Sequence, residues 1–147
     1  MESAEKTTTF FRFEDLRIYH KAIDYVGWIY SSTNSIEDPS QDNLITRLNS
    51  AARDIAMNIA EGSARNKSQF IYYLKMAKSS IRECLVYSTV AFNLNYWNEE
   101  QRDYSRTQLM EMTKMIGALI SSLQRGTRRD TSPDEERNDD AGNDTDY

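Results

Sequence analysis

The chain has 147 residues, a net charge of -5 and a single cysteine; that length suits one domain with a real core, and one cysteine rules out an intrachain disulfide framework or a cysteine-based zinc site. No stretch approaches the roughly 18 consecutive apolar residues of a membrane span, and the start MESAEKTTTFFRFEDL lacks the basic-then-apolar order of a secretory leader, so the expected setting is cytoplasmic. From Thr127 onward eight acidic residues stand against three basic ones, whereas the residues before it hold fifteen of each, so the low pI does not exclude a basic surface on the folded part.

Residues 1–9 are polar and expected to form a flexible N-terminus, after which Phe10, Phe11 and Phe13 lead into a helix beginning near Glu14. Leu16, Tyr19, Ile23, Val26 and Tyr30 recur at spacings of three and four and predict its buried face. The turn formers from Ser31 to Ser40 end it. A second helix is expected from about Gln41, with Leu44, Leu48, Ala52, Ile55 and Ile59 inward and Gly62 as its stop.

Ser68 is the expected cap of a third helix, in which Phe70, Leu74, Ala77, Ile81, Cys84, Ser88 and Ala91 alternate spacings of four and three over three heptads. Tyr96 and Trp97 close that helix. Asn98 is placed to cap a fourth, starting at Glu99, striped by Leu109, Met112, Ile116, Leu119 and Leu123 and ending at Gly126. Four amphipathic helices with short connections predict an all-α fold, an antiparallel up-and-down four-helix bundle over 10–126. The acidic segment 127–147 has no aliphatic residue larger than alanine and is expected to be a disordered tail. A second apolar set (Ile71, Tyr72, Met76 and Val86, with Tyr25, Trp28 and Ile29 on the first helix) exceeds what one bundle covers and points to a ring-like homo-oligomer.

The pentapeptide Asn58-Ile59-Ala60-Glu61-Gly62, with Phe13-x-Asp15-Leu16-x-Ile18 and Ile29-Tyr30-x-x-Thr33 before it and Ser68-Gln69-Phe70-x-x-x-Leu74 and Ala77-x-x-Ser80-Ile81-x-Glu83 after it, resembles the four-helix bundle family of proteins encoded by intervening sequences in 23S ribosomal RNA genes. The resemblance covers about residues 10–125. It implies a homopentamer without enzymatic activity, distantly related to the accessory variability proteins of diversity-generating retroelements, which bind a reverse transcriptase and RNA through a basic surface. Where that family tends to carry paired arginines before Ala51-Ala52, this chain has Asn49-Ser50.

Asn58 to Gly62 read as an assembly or packing motif: Ile59 is inward, Ala60 lies where helices approach, and Asn58 and Glu61 share a face suited to buried or inter-subunit hydrogen bonds. Metal and cofactor sites are not expected. The only histidine, His20, has no glutamate three residues before it, as a di-iron bundle requires. It reads as a surface or interface residue, and Cys84, at a stripe position without a paired base, as core. No phosphate loop or Ser-His-Asp arrangement is present either, so neither a small-molecule substrate nor a membrane is an expected partner.

The candidate binding residues are the cations Arg53, Arg65, Lys67, Lys75, Lys78 and Arg82. Lys75, Lys78 and Arg82 form one stripe on the third helix, and Arg65 and Lys67 decorate the loop before it. Repeated in a ring, they fit RNA or a nucleic-acid enzyme such as a reverse transcriptase. The alternative is a protein–protein scaffold on which the stripe is a solvated helix face.

Overall fold

In a computed structural model the described residues are 10–38 and 43–130, the last four as backbone. The expected flexible N-terminus at 1–9 and the tail from residue 131 lie outside them. Four helices account for the architecture, α1 (Arg17–Thr33), α2 (Leu44–Ser63), α3 (Lys67–Asn93) and α4 (Glu99–Asp130), after a short 3-10 turn at Arg12–Asp15. No strand occurs among the described residues, so the fold is all-α with four helices.

The heptad stripe on α3 is its buried face: Phe70, Leu74, Ala77, Ile81, Cys84, Ser88 and Ala91 are all buried. On α2 Leu44, Leu48, Ala52, Ile55 and Ile59 are buried as expected, joined by Ala51 and Ala56. Burying each large aliphatic of this set contributes roughly 1.5–3 kcal/mol.

On α1 the buried face is rotated from the expected one, with Leu16, Tyr19 and Val26 half-buried along its edge. Ile18, Ala22, Tyr25, Ile29 and Thr33 turn inward, whereas Ile23 is 43% and Tyr30 63% exposed. Both series obey helical spacing, and the partners decide between them. Tyr25 reaches across the core to Ser105, and Trp28 lies 5.2 Å from Trp97, whose indole N–H donates to the carbonyl of Ser32. Tyr25, Trp28 and Ile29 are therefore core or core-lining residues, and no longer argue for an uncovered second face.

The helix ends also depart from expectation. Leu16 is extended and its carbonyl accepts from the N–H groups of Tyr19 and His20, so α1 starts at Arg17. It ends where Ser31, Ser32 and Thr33 turn their hydroxyls back onto the carbonyls of Gly27, Trp28 and Ile29, a competition that weakens helix continuation. Asn43, with φ 51°, takes the left-handed conformation that asparagine tolerates and delays α2 to Leu44. Asp38 then accepts from the N–H of Ile45 and from the Tyr96 hydroxyl, 3.2 Å each, tying both loops at that end together.

The cap of α3 is Asn66, whose side chain accepts from Gln69 N–H at 2.9 Å, and Ser68 lies inside the helix. α3 ends at Asn93, before Tyr96 and Trp97. Asn98 caps α4 as expected, with Gln101 returning the bond in a capping box. Gly126 does not stop α4, which runs on to Asp130.

α2 ends at Ser63, one residue past the expected stop at Gly62, but not through a left-handed glycine cap, since no glycine has a positive φ among the described residues. A Cβ at Gly62 would stand 2.6 Å from Cβ of Tyr73 and 3.0 Å from the Phe70 ring. The glycine is there because α3 passes too close for any side chain.

Candidate nucleic-acid interface

The six cations singled out by sequence do not form one patch. Arg53 is exposed on α2, nine residues before Gly62. At 3.6 residues per turn that is about two and a half turns, so Arg53 points away from the side of α2 that meets α3.

Lys78 is only 8% exposed, which removes it from the expected stripe. It stands between Leu74 and Ile81 on the flank of the core face, where its methylene stem covers apolar surface and its head group is already engaged. Lys75 is half-buried, and Arg82 is exposed and donates to Ser79 Oγ at 3.2 Å.

Arg65 and Lys67 do come together with a residue from another helix. The turn between α2 and α3 lies at the end of the bundle reached by the last turns of α4, since the Lys67 ammonium nitrogen is 3.3 Å from where a Cβ on Gly126 would be. Exposed Arg125 adds a third cation there. At the opposite end, joined by the Asp38–Tyr96 bond, lie Glu37, Asp38, Glu99, Glu100 and Asp103. Arg102 pairs with Glu99 and Asp103 at this end and Glu61 with Arg65 at the other, so among these described residues this end is acidic on balance and the other basic.

Within the Asn58–Gly62 motif, Ile59 is fully buried, Ala60 half-buried and Gly62 in close contact with α3. Asn58 is half-buried and Glu61 exposed, so within the chain Glu61 makes no buried hydrogen bond of the kind expected. Glu61 is exposed and pairs with Arg65 at 2.5 Å, and the Arg65 guanidinium sits 5.5 Å from the Tyr73 ring centre. The bond to Glu61, then the neighbouring Tyr73 and the Glu61 charge, hold the Arg65 pKa above its ordinary value. Arg65 is thus partly spent on fixing the turn.

The buried polar chemistry lies deeper. The Ser88 hydroxyl donates to the Cys84 carbonyl at 2.6 Å, and its oxygen is 2.8 Å from Ser105, itself 2.8 Å from Tyr25. Because Ser88 has one proton and commits it to a carbonyl, Ser105 donates to Ser88 and Tyr25 to Ser105. Burial pushes both the Tyr25 phenol and the Cys84 thiol well above their ordinary pKa, with the adjacent Cys84 adding to the effect on Tyr25 and Glu83 to that on Cys84. Both are held in the neutral form at pH 7, and the buried chain of hydroxyls bridges α1, α4 and α3.

Among the described residues no group of three or more His, Cys, Asp or Glu lies together as a metal site would require, and no helix is long and apolar enough to cross a membrane. His20 is exposed and donates from Nε2 to the Glu14 carbonyl. Sequence reasoning missed the open groove between α1 and α4, about 590 Å³, where His20 stands with Arg17, Lys21 and Lys114. Its signal, Arg17 and Lys21 four apart on α1 facing the single cation Lys114 on α4, is visible only once the α1 register is known.

Residues 14–118 match the family model described as 23S rRNA-intervening sequence protein. A comparison with curated proteins finds no match. The chain belongs to the 23S rRNA-intervening sequence protein family.

Proposed function

We propose that this member of the family is a self-assembling, non-enzymatic adaptor that binds RNA, its unit an antiparallel up-and-down bundle and its assembly a ring-like homopentamer in the cytoplasm. The antiparallel course is supported by Ser88 facing Ser105 while Lys67 faces Gly126. The observation that carries the reading is the outward side of α3. Tyr72 and Met76, one turn apart, and Val86 further along are exposed there, in a stripe interrupted by Ser79 and Glu83, and exposed apolar side chains gathered on one helix side mark an interaction surface.

Copies packed through that stripe would repeat Lys75 and Arg82, which flank it, together with the Arg65–Lys67–Arg125 end. Weak phosphate contacts repeated around a ring add up to useful, salt-sensitive affinity. A nucleic-acid enzyme such as a reverse transcriptase is a protein partner this reading admits. Sedimentation velocity combined with titration of labelled RNA at low and raised salt tests it. The expected result is a species several times the 17.1 kDa chain whose RNA binding weakens with salt and in the K75E/R82E variant. A monomer that binds no RNA at low salt overturns it.

The second reading, a protein–protein scaffold, is favoured by the burial of Lys78 and the engagement of Arg65 by Glu61, which subtract two cations from the expected surface. An assembly that forms and leaves RNA unbound would select it.

A further inference from the structure

The entry into α1 carries a feature outside the α3 stripe. Phe10 is 91% and Phe11 54% exposed, and they begin an unbroken run of rings. Phe10 and Phe11 are 5.0 Å apart between centroids, Phe11 and Phe13 5.8 Å, Phe13 and Tyr19 4.9 Å, and Tyr19 and His20 5.7 Å. The bond from His20 to the Glu14 carbonyl folds the last ring back over the 3-10 turn. His20 then opens onto the α1–α4 groove lined by Arg17, Lys21, Lys114, Asp24 and Glu111.

Charge in that groove is unevenly used. Lys21 donates to Gln108 at 2.9 Å and pairs with Glu111 at 2.5 Å, so those two charges offset each other. Arg17 and Lys114 have no ion-pair partner among the described residues, and Asp24 is the one carboxylate left beside them.

We infer that the Phe10–Phe11–Phe13–Tyr19–His20 run and the groove it feeds form a binding platform for single-stranded RNA, with bases on the rings and phosphates on Arg17 and Lys114. This rests on the RNA reading above and names a site for it. Rings interleaved with cations are what an unpaired strand requires, because its base faces are free to stack and its backbone carries the charge. A duplex hides those faces. A second copy of the chain docking its own apolar surface here would have to bury Arg17 and Lys114 unpaired, which disfavours it.

The test is fluorescence anisotropy of a labelled single-stranded RNA dodecamer, and of the same RNA as a duplex, with the full chain at low salt. Replacing the exposed pair (F10A/F11A) weakens single-strand binding by at least about tenfold and leaves the duplex nearly unchanged, while F10W/F11W retains it. The R17Q/K114Q variant flattens the slope of log affinity against log salt by about 1.4, the value for two single-strand phosphates. Single-strand binding that survives both changes but is lost in K75E/R82E overturns this site and spares the RNA function. A native chain that binds no RNA removes both. Loss of assembly mass in F10A/F11A with RNA affinity unchanged assigns the rings to a second copy and overturns the inference.

Discussion

The phenol oxygen of Tyr25 lies 2.8 Å from the hydroxyl oxygen of Ser105, with both side chains shut away from solvent. Ser105 is the middle link between α1 and α3. Truncating it in S105A leaves the Tyr25 hydroxyl without its acceptor and Ser88 without its donor, at a cost of about 1–3 kcal/mol in urea unfolding. Y25F removes only the terminal hydroxyl and costs about 1 kcal/mol. The Y25F/S105A double variant should lose less than the sum, because Tyr25 has no role in the chain once Ser105 is gone. Additive losses would show that the hydroxyls act separately.

Gly62 and Gly117 make opposite predictions although both are helical glycines. In G62A the new methyl meets Tyr73 Cβ at 2.6 Å, backbone-anchored carbon that cannot swing aside, so overpacking lowers stability by about 1–3 kcal/mol. At Gly117 nothing lies within 4 Å of the added carbon. There G117A should raise stability by roughly 0.5–1 kcal/mol, through the lost conformational freedom of the unfolded chain. Thermal melts of the two variants side by side decide the matter.

Alkali should loosen the core through Cys84 and Tyr25. Their ordinary pKa values are 9.0 and 10.0, and burial raises both in the folded state. The unfolded chain therefore releases these protons first. Their contribution is intact below pH 9 and erodes as pH climbs through the unfolded values, by up to about 1.4 kcal/mol per pH unit for each group. Denaturation curves between pH 8 and 11 should show Y25F losing less stability than the parent. At pH 8 the native thiol should resist a thiol-titrating reagent until denaturant is added.

Lys78 and Arg82 share the expected stripe but not an environment. Reversing Lys78 to glutamate places an opposite charge at an 8% exposed position and should cost about 3–5 kcal/mol, the scale of an uncompensated buried charge. R82E changes an exposed residue and should stay within about 0.5 kcal/mol. Circular dichroism melts separate them, and any binding defect of K78E has to be read against its folding defect.

The α2 and α3 faces were legible because one stripe on each repeats at spacings of three and four without a charged residue in it, and on α3 the second apolar set is shorter and interrupted by Glu83. On α1 two stripes compete, Leu16–Tyr19–Ile23–Val26–Tyr30 and Ile18–Ala22–Tyr25–Ile29–Thr33, and spacing cannot rank them. What ranks them is the reach of one phenol to a serine eighty residues away, which no local pattern contains. Glycine is ambiguous in the same manner: at Gly62 the helical stop and the close crossing share one letter. Asn49 shows a third case, since its amide bonds Thr33 Oγ1 and Ile45 O and ties α2 to the end of α1. The candidate cations were visible as letters, but their joint presentation depends on helix rotation, and so Lys78 and Arg53 fell away from the group.

Both tryptophans of the chain sit together, Trp28 against Trp97, with Tyr104 4.7 Å from Trp28. Tryptophan emission therefore samples one spot, the acidic end where the two interhelix loops meet. Arg17 is eleven residues from Trp28, about 16 Å along the helix axis, and the α2–α3 turn is at the far end. A shift in tryptophan emission reports the loosening of the loop end, and occupancy of the cationic surfaces has to be read through nearby tyrosines such as Tyr19 and Tyr73 or through a dye on the ligand.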